Sequence, residues 1–189
     1  MILSVEEALK QSLQHKVIIF ETDTVYGVGC LVNDLDSVKR IYELKGREPA
    51  KPMALLCANW DQVKSLVQAY EPAKKWADKY WPGALTLVFP KQDCVDDRIT
   101  ANQKTVGIRI PDSTVALRLL EKFGPMVVTS LNLSSEPAVL TFHDALAFEN
   151  VVDFIVKGSD LSGIASTVYD PFNHKIYRQG LVIIDDLSL

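Results

Sequence analysis

The sequence is poor in the residues that build disulfide frameworks and metal sites. Its cysteines and histidines number three each and stand far apart, at Cys30, Cys57, Cys94, His15, His143 and His174. An odd, scattered set of cysteines without a CxxC motif does not make a disulfide framework, and the spacings do not match those of zinc ligands. A disulfide-stapled domain and a zinc enzyme are therefore disfavoured.

An excess of positive charge and a long apolar run are also missing. There are 20 Lys and Arg residues against 24 Asp and Glu, for a formal net charge of −4. A protein that coats nucleic acid depends on a basic excess, so that class is disfavoured, although a local basic patch stays open. No run approaches the ~18 apolar residues of a membrane span, and MILSVEEALKQSL does not fit a signal peptide. We expect a cytoplasmic protein with no membrane partner.

Several widespread catalytic motifs are absent as well. The sequence contains no Walker A motif, no GxSxG and no HExxH, and a GxGxxG that begins at Gly27 and Gly29 fails at Val32. P-loop ATPases, α/β-hydrolases, metalloproteases and dinucleotide-binding folds are disfavoured on these grounds.

The remaining composition is that of one globular domain. The chain has 189 residues, of which 48% are hydrophobic and 23% charged, which suits a single domain over residues 1–189. Helical and extended patterns alternate along it, which favours an α/β (α+β) fold around one sheet. We predict helices at about 5–14, 35–45, 60–69, 72–80 and 114–123, a short helix after Thr141, and strands at 17–20, 53–58, 85–89, 105–110 and 126–129. ETDTVYGVGC and residues 90–104 are predicted as loops, and DFIVKG, STVYD, KIYR and LVIID as extended segments.

Polar segments next to apolar strands are the candidate functional sites, because ligands gather at strand ends in open α/β sheets. Residues 22–27 offer two hydroxyls and a phenol, and a simple hydroxyl-rich turn is the alternative. Residues 45–52 carry Lys45, Arg47 and Lys51. Lys45 suits the C-terminal dipole of a helix, whereas the further two cations suit a polyphosphate.

Two further segments leave alternatives open. Strand alternation places Thr105, Gly107 and Arg109 on one face, and a buried Arg109 must be paired. Its partner is either a bound carboxylate or an Asp or Glu of the chain. Residues 129–135, TSLNLSS, can cradle a phosphate or a nucleoside, or can simply cap a helix or form an Asx turn.

The motifs together resemble one family. In order they are ETDTVYGVG, KGR followed by KP, WPGALTLVF, TVGIRIP, SLNLS, STVYD and a terminal Arg-x-Gly. This order and spacing resemble the YrdC/TsaC-type L-threonylcarbamoyladenylate synthases in their short, single-domain form. The resemblance covers residues 2–185, nearly the whole chain.

The resemblance implies a fold and a reaction. The fold would be a YrdC-like twisted open mixed sheet flanked by helices, with a deep cationic cavity. The enzyme, a nucleotidyltransferase, would convert L-threonine, bicarbonate or CO2 and ATP to L-threonylcarbamoyl-AMP and pyrophosphate. The product would serve the threonylcarbamoyl modification of adenosine 37 in tRNAs that read codons beginning with A. Implied partners are the tRNA threonylcarbamoyl-transferase machinery and, through a weak contact, tRNA. Mg²⁺ would be held mainly through the ATP phosphates.

The resemblance also assigns residues. It places L-threonine on Thr24, Arg109 and Ser166. It places ATP on Arg47, Lys51, Thr105, Ser130, Asn132 and Arg178, with Lys45 and Arg47 as the catalytic cations. Four positions depart from the pattern of the family, namely Leu56, Ser135, Ala138 and Gln179.

Two other functions remain as alternatives. One is a non-catalytic RNA-binding module that uses the same basic cavity. The acidic composition argues against it, and it leaves the threonine-matched residues without a role. The other is a related carbamoyl-adenylate former with a different carbamoyl source, as in larger maturation proteins. The length of this chain argues against it.

Overall fold

The computed structural model describes residues 1–46, 48, 50–133, 136–161 and 163–184. The helices are α1 (Val5–Ala8), α2 (Leu35–Lys45), α3 (Trp60–Lys64), α4 (Glu71–Tyr80), α5 (Asp97–Thr100), α6 (Thr114–Phe123) and α7 (Phe142–Ala145), with a 3₁₀ turn at Leu146–Phe148. The strands are β1 (Ile2–Leu3), β2 (Ile18–Phe20), β3 (Gly27–Leu31), β4 (Ala54–Leu56), β5 (Leu85–Pro90), β6 (Thr105–Arg109), β7 (Met126–Ser130), β8 (Phe154–Val156), β9 (Thr167–Asp170) and β10 (Lys175–Arg178).

These strands form one mixed sheet in the order β1-β8-β2-β3-β7-β4-β6-β5-β9-β10. Parallel pairs join β1 to β8, β2 to β8, β4 to β6 and β5 to β9, and the other neighbours are antiparallel. The predicted fold class, a mixed α/β sheet flanked by helices, is confirmed. The extent of the domain, 1–189, stays a prediction.

The capping signals in the sequence locate several helix ends. Ser4 and Glu7 form the reciprocal capping box of α1, and the side chain of Ser113 accepts the N–H of Ala116 at the start of α6. Gly46 ends α2 in the left-handed conformation at φ 55°, which glycine adopts without a steric penalty. The predicted ranges 35–45 and 114–123 agree with α2 and α6.

Other element predictions were wrong. The segment predicted as a loop over residues 21–30 contains β3, a central strand, and β1 was missed. The first and third helices are shorter than predicted, and α5 lies within residues 90–104. Residues 181–184 of LVIID are not in a strand.

The two faces of the sheet are packed differently. One face is buried in the larger core, which includes Ile19, Leu55 and Ile108. On the other face, α6 packs through Ala116, Leu119 and Leu120 over the half of the sheet that contains Ile18 and Phe20. The rest of this second face, from β3 across β7, β4, β6 and β5 to β9, lines a cleft.

Candidate functional site

The cleft has a volume of about 560 Å³ and is lined by every second residue of neighbouring strands. Ala54 and Leu56 of β4, Gly107 and Arg109 of β6, Thr86 and Val88 of β5, and Val128 and Ser130 of β7 all contribute. Because side chains alternate along a strand, one register brings all of these residues to one face. The prediction that Thr105, Gly107 and Arg109 share a face is confirmed.

Glycine lets β3 come close to β7. A Cβ at Gly27 would lie 2.8 Å from Cγ1 of Val128, and one at Gly29 would lie 2.7 Å from the carbonyl oxygen of Val127. These two glycines, which fail as a dinucleotide fingerprint, thus serve the packing of the strands beneath the cleft.

Arg109 is the buried cation of the cleft and is 6% exposed. Its Nε donates to the carbonyl oxygen of Gly83 over 2.9 Å, and its Nη1 donates to the hydroxyl of Thr24 over 3.0 Å. Its Nη2 donates to the carboxylate of Asp23. Burial lowers the pKa of Arg109, and the charge of Asp23 opposes this effect. The sequence left open whether Arg109 pairs with a carboxylate of the chain or with a bound carboxylate. Asp23 is the partner within the chain, and because Arg109 also lines the cleft, a bound carboxylate can approach it there.

Thr24 is fixed by its own loop. Its hydroxyl lies 3.0 Å from that of Thr22, which also donates to the carbonyl oxygen of Val25 over 2.8 Å. Both threonines are buried and line the cleft. The two interpretations of residues 22–27, a hydroxyl-rich turn and a binding loop, therefore do not exclude each other, since the turn itself lines the cleft.

Ser166 and Arg178 form a second polar group of the cleft lining. The hydroxyl of Ser166 lies 2.8 Å from that of Thr86 and accepts from Nη2 of Arg178 over 3.0 Å. Nε of Arg178 donates to the carbonyl oxygen of Ser166 over 3.0 Å. The guanidinium of Arg178, on the edge strand, is thereby oriented along the cleft wall.

Lys45 lies behind the wall of the cleft and is 2% exposed. From the last turn of α2, its Nζ donates to the carbonyl oxygen of Ser130 over 2.5 Å and to Oδ1 of Asn132 over 2.7 Å. It also lies 3.1 Å from the carbonyl oxygen of Asn132. The hydroxyl of Ser130 donates to the same Oδ1 over 2.7 Å. The end of α2 and the segment from Ser130 to Asn132 thus meet through one ammonium group.

The structure brings together most of the residues that the sequence singles out. Seven of them line the cleft, namely Thr24, Thr105, Arg109, Ser130, Asn132, Ser166 and Arg178. Lys45 contacts two of these, while Lys51 is exposed just before β4. Arg47 lies outside the described residues. Of the four departures, Leu56 and Ala138 line the cleft, Gln179 donates to the carbonyl oxygens of Gly180 and Val182, and Ser135 lies outside the described residues.

Four further residues of the cleft lining were missed, namely Thr86, Gln103, Glu136 and Tyr177. Asp23 lies within the candidate segment 22–27 but was assigned no role there. Thr86 had a signal, since it lies between the buried Leu85 and Leu87 and must face the other side of the sheet. The pairing of Asp23 with Arg109 joins positions 86 residues apart and has no local signal.

No metal cage is evident among the described residues of this cleft. Within the residues that the structure describes, no three His, Cys, Asp or Glu side chains are grouped as metal ligands would be. Separately, none of the described helices is long and apolar enough to cross a membrane.

The cleft has the features of a site for an anionic small molecule, since its apolar floor carries a few fixed hydroxyls and guanidinium groups. The family model described as "Telomere recombination", which covers Sua5, YciO and YrdC, matches residues 10–180. The chain belongs to this family.

The relatives are consistent with this assignment. The chain is 39% identical over 160 residues to a threonylcarbamoyl-AMP synthase of Bacillus subtilis, which covers 82% of the chain and 46% of the relative. It is 37% identical to the enzyme of the same name from Pyrococcus abyssi, over 82% of the chain and 47% of that relative. The crystal structure of P. abyssi Sua5 complexed with L-threonine superposes with a TM-score of 0.85 at 33% identity, over 90% of the chain and 54% of Sua5. The chain thus spans about half the length of these relatives.

Proposed function

We propose that this chain forms L-threonylcarbamoyl-AMP and pyrophosphate from L-threonine, bicarbonate or CO2, and ATP. The observation that carries the proposal is the pairing of the buried Arg109 guanidinium with the Thr24 hydroxyl at the cleft wall. The names of the relatives support it, as does the description of P. abyssi Sua5 as a complex with L-threonine.

In this proposal, Thr24, Arg109 and Ser166 bind L-threonine. A planar guanidinium with several donors suits an amino-acid carboxylate better than an ammonium does. Arg109 is held in place by Gly83, Thr24 and Asp23, so its orientation is set before a ligand arrives. Such preorganisation reduces the entropic cost of binding.

The nucleotide would occupy the other part of the cleft. We propose that Arg47, Lys51, Thr105, Ser130, Asn132 and Arg178 bind ATP, and that the cavity is cationic through these side chains and Lys45. The three hydrogen bonds from Lys45 support a catalytic contribution through position. Lys45 would hold Ser130 and Asn132 where the phosphates lie, with Arg47 as the cation on the phosphates themselves.

The chemistry needs alignment more than a nucleophilic side chain. The neutral threonine amine attacks CO2, and loss of a proton from its nitrogen to water gives a carbamate. A carbamate oxygen then attacks the α-phosphorus of ATP, and pyrophosphate leaves. Both reactants are anions, so fixed cations that neutralise charge and orient the two partners supply the catalysis, and positioning alone can contribute about 7–11 kcal/mol.

Mg²⁺ is assigned no ligand of this chain. As a hard cation that binds through few carboxylates and the phosphates of its substrate, it would enter with ATP. The product would pass to a tRNA threonylcarbamoyl-transferase that modifies adenosine 37, and any contact of this chain with tRNA would be weak. The activity would class the chain as a nucleotidyltransferase.

Pyrophosphate release tests the proposal. With ATP, Mg²⁺ and bicarbonate present, release should require L-threonine and should yield threonylcarbamoyl-AMP by mass spectrometry. L-valine, which has the shape of threonine without its hydroxyl, is the control amino acid. Release that is independent of threonine, or tight salt-sensitive tRNA binding without turnover, would refute the proposal and favour the RNA-binding alternative.

A further inference from the structure

One aromatic side chain at the cleft stays exposed. Tyr177 of β10 lines the cleft, yet 56% of its surface is accessible. Large aromatic side chains bury much area when they serve packing, so an exposed ring at a cleft rim is informative. Nothing in the cleft assignment above uses this ring.

An irregularity in β10 places the ring there. Ile176 pairs with Tyr169 and Arg178 pairs with Val168, so Tyr177 is the extra residue of a bulge between them. In a regular strand, neighbouring side chains point to opposite faces, and Tyr177 would then face away from Arg178. The bulge instead brings both side chains to the rim of the same cleft, which is a known use of bulges beside active sites.

The two neighbouring cations, Lys175 and Arg178, determine which part of a ligand the Tyr177 ring can contact. On one side Nζ of Lys175 lies 4.6 Å from the ring centroid, a cation–π contact that restrains the ring. Arg178, the next residue in the chain, is held in the cleft by its hydrogen bonds to Ser166. Tyr177 and Arg178 line the same cleft, so a nucleotide whose phosphate is held at Arg178 has its nucleoside in the cleft that the Tyr177 ring borders.

We propose that Tyr177 is the platform on which the adenine base of the nucleotide stacks. Every base presents a π-face, and an aromatic side chain beside an arginine is a common way to hold one. The inference rests on the proposed function, because it takes Arg178 as part of the nucleotide site. It adds a binding residue for the base, whereas the cations and hydroxyls act on the phosphates and on the amino acid.

Calorimetry on the full chain with two ligands tests the proposal. ATP carries the base, and inorganic tripolyphosphate carries only the phosphate charge. Tyr177→Ala should raise the Kd for ATP about tenfold, since loss of one stacked base has effects of this order. The same change should leave the Kd for tripolyphosphate within about twofold, and Tyr177→Phe should bind ATP like the wild type.

A control variant and a second readout make the result specific. Leu181→Ala removes an equally exposed apolar side chain of the same region that is not in the cleft lining, and it should change neither Kd. The fluorescence of 2-aminopurine riboside triphosphate should fall on binding to the wild type and to Tyr177→Phe, and much less on binding to Tyr177→Ala.

The outcomes separate this inference from the proposed function. Unchanged ATP affinity in Tyr177→Ala, or equal weakening of ATP and tripolyphosphate, would overturn the stacking role even if the chain makes threonylcarbamoyl-AMP. An effect of Tyr177→Ala on tRNA binding alone would also overturn it. A Tyr177-dependent affinity for ATP in a chain without threonine-dependent turnover would keep the inference and refute the function.

Discussion

Nη1 of Arg109 lies 3.0 Å from the hydroxyl of Thr24 across 85 positions of sequence, and this bond joins the end of β6 to the loop after β2. These two residues, both of which we assign to the binding of L-threonine, are therefore one hydrogen-bonded unit. A change in either residue alters the orientation of the other.

Arg109→Ala should weaken the use of L-threonine far more than the binding of ATP. Loss of a buried, hydrogen-bonded charge of this kind costs at least about 2 kcal/mol, so KM for L-threonine should rise about 30-fold or more. Steady-state kinetics with each substrate varied, together with calorimetry for ATP, measure the difference. Equal losses for both substrates would contradict separate sites.

A charge-keeping variant controls for folding. Arg109→Ala also leaves the partly buried Asp23 without its ion pair, which destabilises a fold by up to about 3–5 kcal/mol. Arg109→Lys keeps a positive charge near Asp23 but loses the planar fork. It should remain folded in thermal unfolding while KM for L-threonine is still raised.

Lys45→Met should reduce both stability and nucleotide affinity. The ammonium is nearly fully buried and serves three oxygens, and an unsatisfied buried acceptor costs about 1–3 kcal/mol. Urea unfolding and ATP calorimetry would measure the two effects together.

Lys51→Met is the matched control for Lys45→Met, because it removes a cation assigned to ATP from an exposed position. Lys51 is exposed, so its replacement should change the free energy of unfolding by no more than about 0.5 kcal/mol while ATP binding weakens. If Lys45→Met left the stability unchanged, its role as the link between α2 and the end of β7 would be wrong.

Gly27→Ala and Gly29→Ala should both destabilise the fold, by about 1–3 kcal/mol each, because each new methyl group meets β7. They should differ in how they are rescued. The collision at Gly27 is with a side chain, so Val128→Ala should offset it in a double-mutant cycle. The collision at Gly29 includes a backbone oxygen, so Val128→Ala should recover less of its loss. Equal rescue of both variants would contradict the register of β3 on β7.

Asp34→Asn should flatten the acid dependence of stability. Burial of Asp34 favours its neutral form, but hydrogen bonds from Ser37 and from the backbone N–H of His15 outweigh this and lower the pKa of the carboxyl. The folded-state pKa then lies below the unfolded value of about 3.9, so the unfolded state binds more protons in acid. The stability from ionised Asp34 is present above that value and is lost as the pH falls through the folded-state pKa.

Asparagine at this position keeps a good N-cap for α2 but has an amide nitrogen where one carboxylate oxygen accepts from the N–H of His15. The lost hydrogen bond contributes at every pH, so the pH-dependent part of the difference reports the charge. Urea unfolding of both proteins between about pH 6 and pH 3 should show the wild type losing its advantage over the variant at the acid end. A constant difference across that range would rule out the carboxyl as the cause.

The helices show how much the sequence determines locally. Asp34, Gly46 and Ser113 carry capping signals within three or four residues of their partners, so the ends of α2 and α6 could be predicted. The strand β3 could not be predicted in this way. Its glycines weaken any strand signal, and they are explained only by the approach of β7, about a hundred residues further along the chain.

In the candidate site, too, local patterns could be predicted and long-range contacts could not. Strand alternation correctly placed Thr105, Gly107 and Arg109 on one face, because period two is a local property. The partner of Arg109 and the rim position of Tyr177 depend on long-range pairing and on a bulge, which no local pattern contains. Through the order of their motifs, family resemblance singled out further residues that line the cleft, namely Thr24, Ser130, Asn132, Ser166 and Arg178.

The bonds of Lys45 also set a limit on the length of α2. The helix has 11 residues, and its final residue must point at the end of β7. One inserted residue would turn that position by about 100° around the helix axis and carry the ammonium away from Ser130 and Asn132. Insertions and deletions should therefore be tolerated in the surface loops of this chain but not between Asp34 and Gly46. There, the number of helical residues determines whether Lys45 reaches the residues of the cleft wall.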